Sequence, residues 1–441
     1  MNHFIEKTLQ LKDLNITINT EKIDEVKIKG RLSLVYYGQL TYVPKACECC
    51  GIYNDNYQVV KNGFRQASRI TLNTISSLPA YLKLQKQRYY CKACGQSFTA
   101  KSPVIAEHCF ISNAVKRKIM DLATRVQTEK MIAEDTSVST HTVRRVIRQV
   151  ASTLRIRPTH QLPTHLSFDE FKSVSSVEAA MSFIWSDATT HKVIDIVEDR
   201  KKRSLSSYFS RYPLEIRRQV KTVTIDMYEP YMDIIHRWFP NAEIIIDPFH
   251  IIQALNRELN RYRTQFMNTV RYKDGRLYNK LKRYWKLILK NPDTLQSTSY
   301  HPFRLFDWLT NTQGIVNYLL DQDEMLHDTY RIVHQLGQAY RLKNWKRFET
   351  TLIQANQLKI SSGLKRVLRT FRKYQKPIHN CFVYTGLTNG PLEGINNKIK
   401  VLKRNAYGYR NYSHFRDRIL LMTRLYEPES KKKDQATLFV A

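Results

Sequence analysis

The period of apolar and polar positions changes several times along the chain, and each change marks an element. Residues 1–34 read as an extension with a short helix and a polar connector, carrying no chemistry of their own. Over roughly 35–100, with the first stretch beginning at Arg31, RLSLVYYGQLTYVP and YLKLQKQRYY predict short strands. From Ser112 the period becomes helical. Helices are predicted over 113–126, over 129–135 with Ile132 and Ala133 facing inward, and over 140–150 with Val143, Val146, Ile147 and Val150 on one face. A turn at Ser137–Ser139 separates the last two, and Ser139 or Thr140 can cap the third. Pro158 and Pro163 mark 153–165 as a linker.

A second run of strands follows. LSFDE (166–170), AMSFIWSDA (180–188) and HKVIDIVED (191–199) predict three consecutive strands, the last two joined by a hairpin at Thr189–Thr190. A helix around Leu205–Arg211, a strand at 220–227, a helix at 229–239 and a strand at 242–250 complete the series. That order is the one found in a ribonuclease-H-like α/β domain, whose first strand lies beside its fourth. Residues 251–385 are helical and basic, broken at Asn291–Pro292 and His301–Pro302, and too long to be a loop. They read as a helical insertion before a final core segment, 386–426; residues 427–441 read as a mobile tail.

Charge then narrows the partner. Of the 441 residues, 71 are Lys or Arg against 39 Asp or Glu, a net +32 spread along the whole chain. Such a balance expects a polyanion, with nucleic acid ahead of an anionic membrane, because no run of 18 apolar residues and no signal peptide is present. No GxxxxGK or GxGxxG loop points to a nucleotide. Seven Cys without a signal peptide fit a reducing cytoplasm. Cys47-x-x-Cys50 and Cys91-x-x-Cys94, each followed by glycine (Gly51, Gly95), predict a closed structural zinc site in a zinc-ribbon domain, 35–110. Cys49 sits between ligands, and Cys109 and Cys381 read as plain thiols. The three helices of 111–152 have the spacing of a helix-turn-helix, with His141, Thr142, Arg144, Arg145 and Arg148 outward toward DNA.

Three acids complete the picture. Asp169 on the first strand of 166–250 and Asp226 at the end of the fourth converge if those strands are neighbours, and two apposed carboxylates repel unless a divalent cation sits between them. Asp187, Asp195 and Asp199 fit hairpin and strand-end roles. Farther on, NGPLEGINNKIKVLKR (389–404) predicts a helix capped by Asn389 or Gly390, with Leu392, Ile395, Ile399, Leu402 and Ala406 on its buried stripe. Glu393 heads a neighbouring column of Asn397, Lys400 and Arg404, an acid followed by bases. An acid in a first turn is also what the helix dipole favours.

Together these motifs, with FDEF around Asp169, TIDMYEPY around Asp226, DPFH at 247–250 and NGPLEGINNKIKVLKRNAYGYRN around Glu393, resemble the ISL-three family of bacterial insertion-sequence transposases. The resemblance implies a cytoplasmic, nucleoid-associated DDE transposase with a ribonuclease-H-like core and Asp169, Asp226 and Glu393 as its acidic triad. It implies Mg²⁺ or Mn²⁺ at the triad, with Asp169 bridging two ions, and Asp247 and His250 in support. Lys400, Lys403 and Arg404 would steady phosphates, and Tyr407 or Tyr409 would stack on an unpaired base. Partners would be double-stranded DNA at the terminal inverted repeats and the target, no membrane, and a second copy when two ends are paired. A DNA-binding regulator on the same scaffold and a nuclease that cuts without joining are the alternatives.

Overall fold

The computed structural model describes residues 7–154, 160–178, 180–423 and 425. Pro158 of the expected linker and the tail from 427 on lie outside them. The chain divides into two compact units: Met1–Arg157, Val174–Ser176 and Asn397–Arg424 in the first, Pro158–Ser173, Val177–Asn396 and Leu425–Ala441 in the second. The segment 386–426, expected to finish a single core, is divided between them, with Asn397–Arg424 in the first unit. Among the described residues, no helix is long and apolar enough to cross a membrane.

The first unit opens on a sheet where a polar connector was expected. Ile16–Ile28 is a thirteen-residue strand, β1, paired antiparallel with β2 (Arg31–Leu40). Only Ile16 and Ile18 are buried, and the rest of the strand is polar, exposed or at most half-buried, so the signal was weak. β3 (Val59–Phe64), β4 (Ser68–Thr71) and β6 (Ser97–Thr99) each pair antiparallel with the long β5 (Ala80–Cys91), which pairs parallel with β2. The span between the two Cys knuckles thus carries its own strands. Tyr89 of β5 is fully buried, and its hydroxyl donates to the Tyr42 carbonyl (2.5 Å).

Three helices follow: α1 (Asn113–Ala123), α2 (Glu129–Asp135) and α3 (Thr140–Leu154). Ser112 and Thr128 cap the first two by accepting from Val115 and Met131 amides, and Ser139 accepts from Thr142. Ser137 adopts the left-handed conformation (φ 54) in the turn between α2 and α3. Val143, Val146 and Ile147 are buried with Val115, Ile119, Ile132 and Ala133. Leu421 joins that cluster from the far end of the chain.

The second unit is built on a five-stranded sheet in the order β11–β10–β7–β8–β9. These strands are β7 (His165–Lys172), β8 (Met181–Asp187), β9 (Val193–Val197), β10 (Thr222–Ile225) and β11 (Glu243–Ile246). β10 is parallel to both β7 and β11, while β8 is antiparallel to β7 and to β9. The first strand of this unit does lie beside its fourth. Helices α4 (Lys202–Phe209), α5 (Leu214–Arg218) and α6 (Glu229–Trp238) occupy the connections. Phe168, Phe183, Trp185, Phe209 and Phe239 form an aromatic core, with Phe168 stacked on Phe209 at 5.6 Å.

The stretch 242–250 is strand only to Ile246. Asp247 caps helix α7 (Pro248–Thr269) by accepting from the Phe249 amide (3.3 Å), and Pro248 occupies the first turn. His250 therefore stands on a helix. Further helices cover Gly275–Arg283, Trp285–Leu289, Thr312–Leu320, Glu324–Arg341, Trp345–Gln354, Ser362–Lys373 and Gln375–Val383. The last two helices among the described residues are α8 (Gly390–Asn405) and α9 (Tyr412–Met422).

Candidate functional site

Register brings three aspartates level. β7 and β10 pair as Leu166 with Val223 and Ser167 with Thr224, and β10 and β11 pair as Ile225 with Ile246. Continued by one or two residues, those registers set Asp169, Asp226 and Asp247 side by side at the ends of neighbouring strands. The Asp247 amide extends the ladder by donating to the Ile225 carbonyl (2.9 Å). Residues opposite one another share a face, so the three carboxylates converge instead of alternating.

His250 Nε2 lies 2.7 Å from Asp226 Oδ1, and ligand atoms of Asp226, Asp247 and His250 all fall within 4.8 Å of one another. Asp169 Oδ1 accepts from the Glu170 amide (2.7 Å) and Oδ2 from Asn396 Nδ2 (2.8 Å). Burial, and after it the charges of Asp226 and Glu170, push the Asp169 carboxyl up to about 7. Burial also raises Asp247, and the hydrogen bond to Asp226 raises His250. A cleft of about 310 Å³ opens over Asp169, Asp226 and His250, walled by Tyr228, Tyr231, Gln253 and Arg257. Glu170 forms one wall, held by Arg200 (2.5 Å) and by the Tyr231 hydroxyl (3.1 Å).

Glu393 lies exposed in the first turn of α8, outside the group of Asp226, Asp247 and His250. Two asparagines on either side of it fasten the helix start to β7. Asn389 Nδ2 donates to the Phe168 carbonyl (2.8 Å), and Asn396 Nδ2 reaches both Asp169 and the Glu170 carbonyl (3.2 Å). Asn389, Glu393 and Asn396 are spaced i, i+4 and i+7, so the acid falls between the two anchors on a shared face. The sequence reading assigned Asn389 to capping and passed over Asn396, whose helical phase with Asn389 was the available signal. The three set-aside acids have local partners: Asp187 accepts from the Thr189 amide in the hairpin, Asp195 from Tyr208, and Asp199 from the Lys201 amide.

The cysteine cluster is the second centre. Sγ of Cys47 and Cys94 are 3.8 Å apart and those of Cys50 and Cys91 3.9 Å, with all four ligand atoms within 4.8 Å of one another. A tetrahedron with Zn–S bonds of about 2.3 Å has an edge of about 3.8 Å, which those two separations match, so the cluster is compatible with zinc. Gly51 (φ 77) and Gly95 (φ 66) take the left-handed turn, and their amides donate to Cys47 and Cys91 carbonyls. Amides of Cys50 and Cys49 hold the Cys47 thiol down at about 6. Cys49 stays outside the cluster, Cys109 faces Lys116 (3.8 Å), and burial pushes Cys381 up to about 12.

On α3, His141, Arg144, Arg145 and Arg148 are exposed, and Thr142 is half-buried. Arg144 is engaged by Glu129 of α2 (2.5 Å), which leaves His141, Arg145 and Arg148 as the outward polar groups. On α8, Lys400 and Arg404 are exposed and Lys403 is half-buried. Tyr407 is fully exposed, whereas Tyr409 packs on Phe415 at 4.9 Å, so only the former presents an open ring face.

Register-matched acids in the second unit and a four-cysteine cluster in the first, on so basic a chain, are the groups a nucleic-acid enzyme with bound metal ions needs, and the comparisons give the chain a family. A family model of the DDE transposases of the ISL-three (ISL3) type, described as "Transposase", matches residues 166–419. The chain belongs to the ISL3 transposase family. It is 24% identical over 405 residues, 90% of its own length and 92% of the relative's, to the transposase for insertion sequence element IS1001 of Bordetella parapertussis. Over 113 residues, 26% of this chain and 35% of the relative, it is 38% identical to a Lactococcus lactis protein described as an ATP-dependent protease. The enzyme is a transposase of an insertion sequence.

Proposed function

We propose that this cytoplasmic enzyme binds the terminal inverted repeats of its element, cleaves DNA at the ends and joins the 3′ ends to target DNA. In this reading the second unit is a ribonuclease-H-like core and α1–α3 form a helix-turn-helix. The observation that carries it is the shared register of Asp169, Asp226 and Asp247, the first two of which line one cleft with His250. The strand order and the parallel neighbours of β10 support the core, and the buried Val143–Val146–Ile147 face with His141, Arg145 and Arg148 outward supports α3 as the recognition helix.

Asp169, Asp226 and Glu393 are the carboxylates that would hold the divalent cations, with Asp247 and His250 in support. An oxygen-rich donor set of this kind suits Mg²⁺ or Mn²⁺. Bound there, such ions supply Lewis acidity toward phosphoryl oxygens and lower the pKa of an attacking water or 3′-hydroxyl. The chain's own part is orientation. Asn396 fixes one oxygen of Asp169, His250 fixes one oxygen of Asp226, and the Asn389 and Asn396 anchors tie the first turns of α8, which carry Glu393, to β7. The four cysteines would hold a structural zinc.

The test is a strand-transfer assay with labelled terminal repeats and a target plasmid in Mg²⁺. A transposase yields nicked ends and joined products. Cleavage without joining would indicate a nuclease, and binding without cleavage a regulator.

A further inference from the structure

Helix α7 begins at the acidic cluster and continues past it. His250 stands in its first turn, Gln253 and Arg257 line the cleft, and Arg261 follows one turn beyond. At 1.5 Å per residue, Arg257 lies about 10 Å along the axis from His250 and Arg261 about 6 Å farther. These positions recur at three or four residues, so they form one stripe.

Both guanidiniums are tethered from below yet remain open to solvent. Glu258, whose side chain is 10% exposed, sits 4.0 Å from Arg257 and 3.8 Å from Arg261, whose side chains are 69% and 56% exposed. The same carboxylate reaches the helix Ser362–Lys373, where a Cβ on Gly363 would overlap it. Glycine there lets that helix close on α7, and within two turns it exposes Lys365, Arg366 and Arg369. Those three make no ion pair with an acid among the described residues, unlike Lys373, which pairs with Glu229 (2.8 Å). One buried carboxylate thus stands against five exposed cations on two packed helices.

Resting on the proposed cleavage reaction, we propose that this surface is the track for the DNA duplex on one side of the cut. Arg257 and Arg261 hold the backbone of the strand entering the cleft, and Lys365, Arg366 and Arg369 hold the duplex beyond it. The arrangement is repetitive charge at turn spacing, which fits contact to phosphates and not to base edges. Gln253, between the acids and Arg257, is the group that faces the first nucleotide past the cluster.

The experiment measures affinity for a duplex carrying the element's end and its flank as a function of salt. Each phosphate contact contributes about 0.9 to the slope of log K against log salt. Arg257→Gln with Arg261→Gln should make the slope less negative by about 2, and Lys365→Gln, Arg366→Gln, Arg369→Gln by about 3. Lysine at 257 and 261 should restore it, which a purely structural role would not produce. A wild-type slope in both glutamine variants overturns the track, as does a change seen only with target duplex lacking the element's end. Asp169→Asn in parallel keeps the two claims apart. If it still cleaves, the proposed reaction fails, while an altered slope continues to support the DNA surface.

Discussion

Asp169 is the residue whose surroundings say most about the reaction. Its carboxyl sits at about 7 because burial and two neighbouring acids oppose its charge, and His250 is raised by its bond to Asp226. If the divalent cations of the proposed reaction bind here, they compete with protons on Asp169 and His250, so Mg²⁺ affinity should rise with pH through about 7, with proton release on binding seen by calorimetry in two buffers. The same shifts fix the sign of stability. Without metal, the folded state binds more protons than the unfolded chain once pH exceeds 3.8, the ordinary Asp value, so stability should fall as pH rises toward 7. His250 acts in the same direction, its contribution complete below 6.5 and lost above its raised value. Saturating Mg²⁺ should flatten that decline in a denaturant titration. A stability curve that climbs between pH 4 and 7 would contradict the buried acid.

At the scale of elements, a helix and a strand depend on contacts remote in sequence. α9 completes the α1–α3 cluster: Arg418 is fully buried and donates to the Ala123, Arg125 (3.2 Å) and Gln127 (2.7 Å) carbonyls at the end of α1. A cation at a helix C-terminus is favoured by the dipole as well as by the hydrogen bonds. Arg418→Met should cost about 2–4 kcal/mol, read as earlier melting of the helical signal. The cysteine knuckles hold β5 in the same way. About one zinc per chain is expected, and chelation or Cys50→Ser should release it and loosen the sheet; folded protein free of zinc would count against the site.

Legibility followed the range of the forces. The knuckles, the α3 stripe and the seven-element order around Asp169 and Asp226 were readable because each repeats a local period or spacing. β1 was missed because its exposed, polar residues hide the strand alternation. Where 242–250 changes from strand to helix was missed because Asp247 both ends β11 and caps α7. The asparagine anchors and the Leu421 and Arg418 contacts were not legible, since they join residues more than 200 positions apart.

At the scale of the whole molecule, the proposed reaction puts the chemistry of this transposase at the ends of neighbouring strands, with Glu393 supplied from α8. Asn389 and Asn396 are expected to matter through Glu393: Asn396→Ala should slow cleavage while leaving binding of the end intact, measured by gel shift and nicking in parallel. The central claim is tested most directly by the initial rate of Mg²⁺-dependent nicking at the element's ends for Asp169→Asn, Asp226→Asn and Glu393→Gln. Each should fall roughly 100- to 1,000-fold, equivalent to losing several kcal/mol of transition-state stabilisation, with end binding unchanged. Nicking by Glu393→Gln at the wild-type rate would remove the third acid from the site, and the same result for Asp169→Asn would contradict the account as a whole.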